Sequence, residues 1–195
     1  MRDHSTADRQ DDLERAGDAK MAAKAPAEAL HLYEAAAAER ETPPARLTVK
    51  AARAALAAGA PETAAHWCIR TVDVEAGYAE WVAAAAMLRQ CPPEAIPARR
   101  TGLRVAIVAT WTTKTFAPLL ALAAARSGLQ IDVREAEYGQ YFNDTLQPGS
   151  ALLADAPDVV ILLPDDRALG LSAQAEPDPA ALEAEVARWT SAWDG

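Results

Sequence analysis

From Asp11 onward, apolar positions recur with the period of a helix. Leu13, Ala16, Gly17 and Met21 fall on one face, which predicts a first helix before Pro26. Pro26 suits the first turn of a second helix, where its missing N–H has no intrahelical partner to lose. Ala29, Leu30, Tyr33, Ala36 and Ala37 form the apolar stripe of that helix, and Pro43-Pro44 ends it. A third helix is expected over 44–58, with Leu47, Ala51, Ala52 and Leu56 inward and Gly59 as its stop. Pro61-Glu62-Thr63 opens a fourth, ending near Val72, and a fifth runs over 78–90 up to Pro92-Pro93. Residues 1–10 are polar, lack any period, and read as disordered. The expected organisation is therefore a helical domain over 11–91, a proline-containing linker over 92–101, and a second domain over 102–195.

Within the helical part, Gly17, Ala29, Tyr33 and Ala36 stand 12, 4 and 3 residues apart, and Ala64 follows Ala29 by 35. Small residues at these places let antiparallel helices approach closely, and the aromatic fills the gap between hairpins. The spacing resembles a degenerate tetratricopeptide (TPR) array of roughly two and a half repeats. An ordinary alanine-rich bundle is the plainer alternative. The ionisable residues here read as solvated helix faces.

Past the linker the period changes. Leu103–Ala109 is a continuous run of the kind buried on both faces of a parallel sheet. Residues 116–126 read as a helix ended by Ser127-Gly128, and 129–136 alternate as a second strand. Residues 138–148 read as a loop with a helical turn at 141–146, 150–154 as a short helix, and 158–163 as a third strand. A final amphipathic helix over 178–193 carries Leu182, Val186, Trp189 and Trp193 on one side. The expected fold class is thus helical hairpins followed by an incomplete, doubly wound, flavodoxin-like or SGNH-like parallel sheet. Three strands leave long unpaired edges. Either the chain is the N-terminal piece of a longer protein or a partner supplies the missing strands; truncation is the favoured expectation.

Charge narrows the partners. The net charge is −9, and residues 101–195 hold six basic against thirteen acidic residues, which disfavours nucleic acid and anionic membranes. No secretory segment opens the chain and no apolar run approaches the length of a membrane span, so a cytoplasmic location is expected. Cys68 and Cys91 read as buried free thiols. No Cys/His cluster has zinc spacing, and neither phosphate-binding glycine fingerprint is present.

Three loops follow the predicted strands, where open α/β sheets bind ligands. In the first, 110–115, the hydroxyls of Thr110, Thr112 and Thr113 and the amides of the next helix suit an anion or an acyl oxyanion. Simple helix capping by the same threonines is the alternative. The second loop offers Tyr138, Gly139, Gln140 and Tyr141 as pocket-lining residues. In the third, Asp165-Asp166-Arg167, consecutive acids point in different directions and Arg167 can neutralise one. His4, His31 and His66 all precede the linker, so a self-contained Ser/Thr–His hydrolase is not expected and no catalytic residue is assigned.

Residues 102–167 resemble the region before the phosphatase-like domain of FkbH-like proteins. The resemblance rests on Thr110–Thr113 after a strand, Glu135–Tyr141 containing Tyr-Gly-Gln-Tyr, and Pro157–Asp165. It implies an SGNH-like fold here, followed in intact members by a HAD-superfamily domain with a DxDxT nucleophile and acid-bound Mg²⁺. Such members are associated with loading a glyceryl group from phosphoglycerate onto an acyl carrier protein in polyketide-type biosynthesis. This sequence has no DxDxT, carries Lys114 where the family commonly has an acid, and lacks the histidine of an SGNH site. The expected role is therefore accessory, with a TPR-type interaction module as the alternative. Carrier proteins are acidic, and Arg46, Lys50 and Arg53 on the third helix form the best basic face to meet one or a synthase segment.

Overall fold

The computed structural model describes residues 6–137, 150–154, 156–165 and 178–193. Five helices open the chain: α1 (Thr6–Ala22), α2 (Pro26–Ala38), α3 (Ala45–Ala57), α4 (Pro61–Arg70) and α5 (Tyr78–Leu88). A 3₁₀ turn, Thr71–Asp73, follows α4, and another, Pro93–Ala95, follows α5. Then come β1 (Arg100–Ala109), α6 (Phe116–Arg126), β2 (Leu129–Glu135), α7 (Ala151–Ala154), β3 (Val159–Leu163) and α8 (Pro179–Trp193). The molecule is of mixed helix and sheet, with a small, open, three-stranded parallel sheet. The chain forms two compact units, one of residues 1–101 with 118–130, the other of 102–117 with 131–195. Residues 118–130, read from sequence as part of the second domain, group with the helices.

In the helical unit each helix packs on the next, and α3 also touches α5. Three of the helices start where sequence punctuation puts them, whereas α2 ends at Ala38, ahead of the Pro43-Pro44 expected to stop it. Pro26 and Pro61 sit at the first turns of α2 and α4, and Pro44 is the N-cap of α3. The core is mostly alanine, with Tyr33, Leu47, Trp67, Cys68, Met87 and Leu88 supplying bulk. Close approach is the reason: a Cβ placed on Gly17 would lie 2.5 to 3.0 Å from three atoms of the Tyr33 ring, so only glycine lets α1 rest on that tyrosine. Leu122 and Ala125 of α6 are buried in the same core, with Leu119 packed against it. The buried Thr48 and Thr71 hydroxyls lie 2.8 Å apart and reach the Ala45 and Trp67 carbonyls, so neither is left unsatisfied.

Two expectations for this unit are corrected. α1 begins at Thr6, so residues 6–10 are helical rather than disordered, and Gln10 is buried with Nε2 donating to the Ala36 carbonyl at 3.3 Å. The acids of α1 are not all solvated: Glu14 is buried.

In the second unit β1 is central, with β2 on one side and β3 on the other. Val105 to Ala109 pair in parallel with Val159 to Leu163. Arg99 N–H donates to the Gly128 carbonyl and Ala136 N–H to the Ile107 carbonyl, which gives β2 the same direction. Val105–Ala109 are all buried, as their unbroken apolar run requires. β3 is different: Val159 and Val160, on opposite faces, are each nearly half exposed. Leu182 and Val186 of α8 are exposed as well.

Candidate functional site

The strand order β2-β1-β3 places the reversal of winding between β1 and β3. A crevice outside the carboxyl ends of such strands is where open α/β sheets hold ligands. The first and third predicted loops meet there. Thr110 N–H donates to the Leu163 carbonyl (3.3 Å), and Thr110 Oγ1 accepts the Asp165 N–H (2.8 Å). Thr113 is buried, and its hydroxyl donates to the Glu135 carboxylate at the end of β2. The Thr113 carbonyl accepts the Ala117 N–H (3.0 Å) and so caps α6. Thr112 and Lys114 are exposed, and Trp111 stands edge-on to Phe116 with ring centroids 6.2 Å apart.

This geometry narrows the anion-binding reading of residues 110–115. Of the first amides of α6, that of Ala117 is taken by Thr113, and Pro118 has none. The carboxylate of Glu135 lies against Thr113, and like charge opposes an anion in that position. The two tied threonines close the ends of the three strands together. Of Thr110, Thr112 and Thr113, Thr112 is the one that is exposed. Tyr138, Gly139, Gln140 and Tyr141 lie outside the described residues, as do Asp166 and Arg167.

The basic face of α3 is the second candidate, and the structure shows what it faces. Arg46 grips Glu14 with two nitrogens, Nε at 3.2 Å and Nη2 at 3.1 Å. Lys50 Nζ lies 2.8 Å from both Glu14 Oε1 and Asp18 Oδ2. The other Asp18 oxygen accepts the Tyr33 hydroxyl at 2.8 Å. Burial alone raises the Glu14 carboxyl, but hydrogen bonds and charge from Lys50 and Arg46 outweigh it, and the net direction is down. Lys50 is moved upward by the same acids, against its own desolvation. Two of the three predicted partner-binding cations are thus neutralised by α1. Arg53 is exposed on the same helix and has no ion-pair partner among the described residues. The acids were missed because sequence shows a charged helix face but not which helix it meets. The available signal was Glu14's place three residues before Gly17, on the inward stripe.

Elsewhere in the helical unit, two open clefts of about 300 and 390 Å³ flank Thr42-Pro43, the first bordered by His66 and Arg70, the second by Arg40 and Glu80. His66 stands edge-on to Trp67, and Arg70 lies 5.6 Å over the same ring. Cys68 and Cys91 are buried free thiols; burial, with Cys91 nearby, pushes Cys68 up to about 12, so it stays protonated and unreactive near neutral pH. Among the described residues no three His, Cys, Asp or Glu side chains gather as metal ligands. No helix among them is long and apolar enough to cross a membrane.

By fold, then, the chain combines helices with a small open parallel sheet whose strand ends are tied through Thr110 and Thr113. Comparison with protein-family models, with curated proteins and with solved structures gave no match.

Proposed function

We propose that this chain is an accessory, partner-binding segment of an FkbH-like protein. Its TPR-like hairpins engage an acidic acyl carrier protein or synthase segment, and its SGNH-like α/β unit is structural. The observation that carries this reading is the engagement of Thr110 and Thr113, whose side chains bind β3 and β2 to the end of β1. A nucleophile must reach its substrate as well as a base; Thr113 is buried against the Glu135 carboxylate, and the Thr110 oxygen accepts a backbone amide. Phosphoglycerate chemistry, the DxDxT nucleophile and its Mg²⁺ belong on this reading to the HAD domain of intact family members. No chemical step is assigned to residues of this chain.

The hairpin build supports a recognition role for the helical unit. α2 and α4 both begin at proline, 35 residues apart, and Gly17 against Tyr33 is the close contact that TPR-like spacing requires. Arg53 is the cation best placed to meet an acidic partner, since forming that contact breaks no existing pair. Isothermal titration of the full chain with an acyl carrier protein tests the proposal. Binding weakened about tenfold by Arg53→Glu, roughly 1.4 kcal/mol, is the expected result; no heat at high carrier-protein concentration sinks it. The alternative, a TPR-type module with no tie to carrier proteins, is favoured if a different acidic protein binds through Arg53 instead.

A further inference from the structure

α1 and α3 hold equivalent places in two successive hairpins. Each leads through a tight turn into a proline-started helix, and both turns close in the same way. Ala25 N–H donates to the Lys20 carbonyl (3.0 Å) and Ala60 N–H to the Ala55 carbonyl (2.9 Å), the six-residue closure of a helix end. The residue before each must adopt a left-handed backbone. In the second hairpin it is Gly59, at φ +74; in the first it is Lys24, at φ +57. Glycine takes this conformation freely, whereas a residue with a Cβ is strained there. The α1–α2 turn therefore stores strain that the α3–α4 turn does not.

The helices differ in what holds them. On α3 the buried positions include Leu47, Val49, Ala51 and Ala52. On α1 the buried positions are Gln10, Glu14 and Gly17, none of which brings an apolar side chain, while Leu13 and Met21 are half-buried. Beside the packing of Gly17 on the Tyr33 ring and of Leu13 and Met21 on the core, α1 is held by discrete polar contacts: Gln10 on the Ala36 carbonyl, Glu14 on Arg46 and Lys50, and Asp18 on Tyr33 and Lys50. Such contacts are specific and re-form wherever the same groups meet. The helical unit, with fourteen basic and fifteen acidic residues, carries a net charge of −1 and raises little barrier to meeting itself.

We infer that α1 exchanges between two copies of this chain, each α1 docking on the Tyr33, Arg46 and Lys50 surface of the other, with the turn at Lys24 as the hinge. The exchange keeps the side-chain contacts of α1 with Ala36, Tyr33, Arg46 and Lys50, gives up the backbone bonds that close the turn, and relaxes two strained turns. It is opposed by the entropy of association, so the exchanged dimer grows with concentration.

Size-exclusion chromatography with light scattering on the full chain, from dilute to concentrated, tests this. A reversible dimer is expected. Lys24→Gly removes the strain and should lower the association constant about tenfold per hinge, about 100-fold for the two. Glu14→Arg and Arg46→Glu each break the pair within one copy, but mixing them restores it between copies, so the mixture should form a one-to-one dimer that neither variant forms alone. A wild-type chain monomeric at every concentration overturns the inference. So does a dimer indifferent to Lys24→Gly, a reading that does not depend on the charge variants folding.

Discussion

Glu14 shows how one carboxylate ties a helix down. It is buried yet charged, which is tolerable because Arg46 and Lys50 supply three hydrogen bonds to it. Lys50 and Tyr33 also hold Asp18 below its ordinary value, against the upward push of burial. Tyr33 moves far upward, through burial first and the Asp18 hydrogen bond second. Lowered carboxyls give stability that is complete above their unfolded values and is lost as pH falls through the folded ones. Raised Tyr33 and Lys50 give stability that is present below their unfolded values and is lost as pH rises through the folded ones. Stability should therefore plateau around neutral pH and fall on both sides. Glu14→Gln should flatten the acid limb and cost about 1–2 kcal/mol on the plateau. Urea unfolding across the acid range measures both; an unchanged acid limb would contradict the assignment.

At the scale of elements, the helix ends were legible because proline and glycine write them directly. Pro26, Pro44, Pro61 and Gly59 each act where expected. What the pattern did not reveal was company. The stripe of α6 says that one face is buried, and period alone cannot say against what. Its Leu122 lies fully buried in the core of the helical unit. Leu122→Ala should therefore cost about 2–4 kcal/mol, read as an earlier loss of helical circular dichroism on heating. The same limit hid the Glu14 pairing: Arg46, Lys50 and Arg53 were visible as a basic face, but the acids opposite them come from a helix some thirty residues earlier. The threonine loop was placed correctly at a strand end, while its use as a tie depended on Glu135 and Asp165, which only the strand order brings near.

Over the whole molecule, charge is segregated. The unit of residues 102–117 and 131–195 has five basic against thirteen acidic residues, a net −8, almost all of the chain's total. That unit also has the apolar edge strand β3, with no charge between Val159 and Leu163. An exposed, uncharged edge invites pairing with other chains. Val160→Lys should raise the temperature at which heated samples scatter light while changing stability by less than about 0.5 kcal/mol; unchanged scattering would show that aggregation starts elsewhere.

The order in which the chain visits its two units carries a practical lesson. It leaves the helices at residue 101, returns at 118, and departs again after 130. A cut near residue 102 would not liberate a finished helical piece, because Leu119, Leu122 and Ala125 would go with the other product and leave a greasy scar behind. Limited proteolysis should accordingly yield fragments that stay together until denatured, and anyone wishing to study the helices alone must carry the chain through to Gln130.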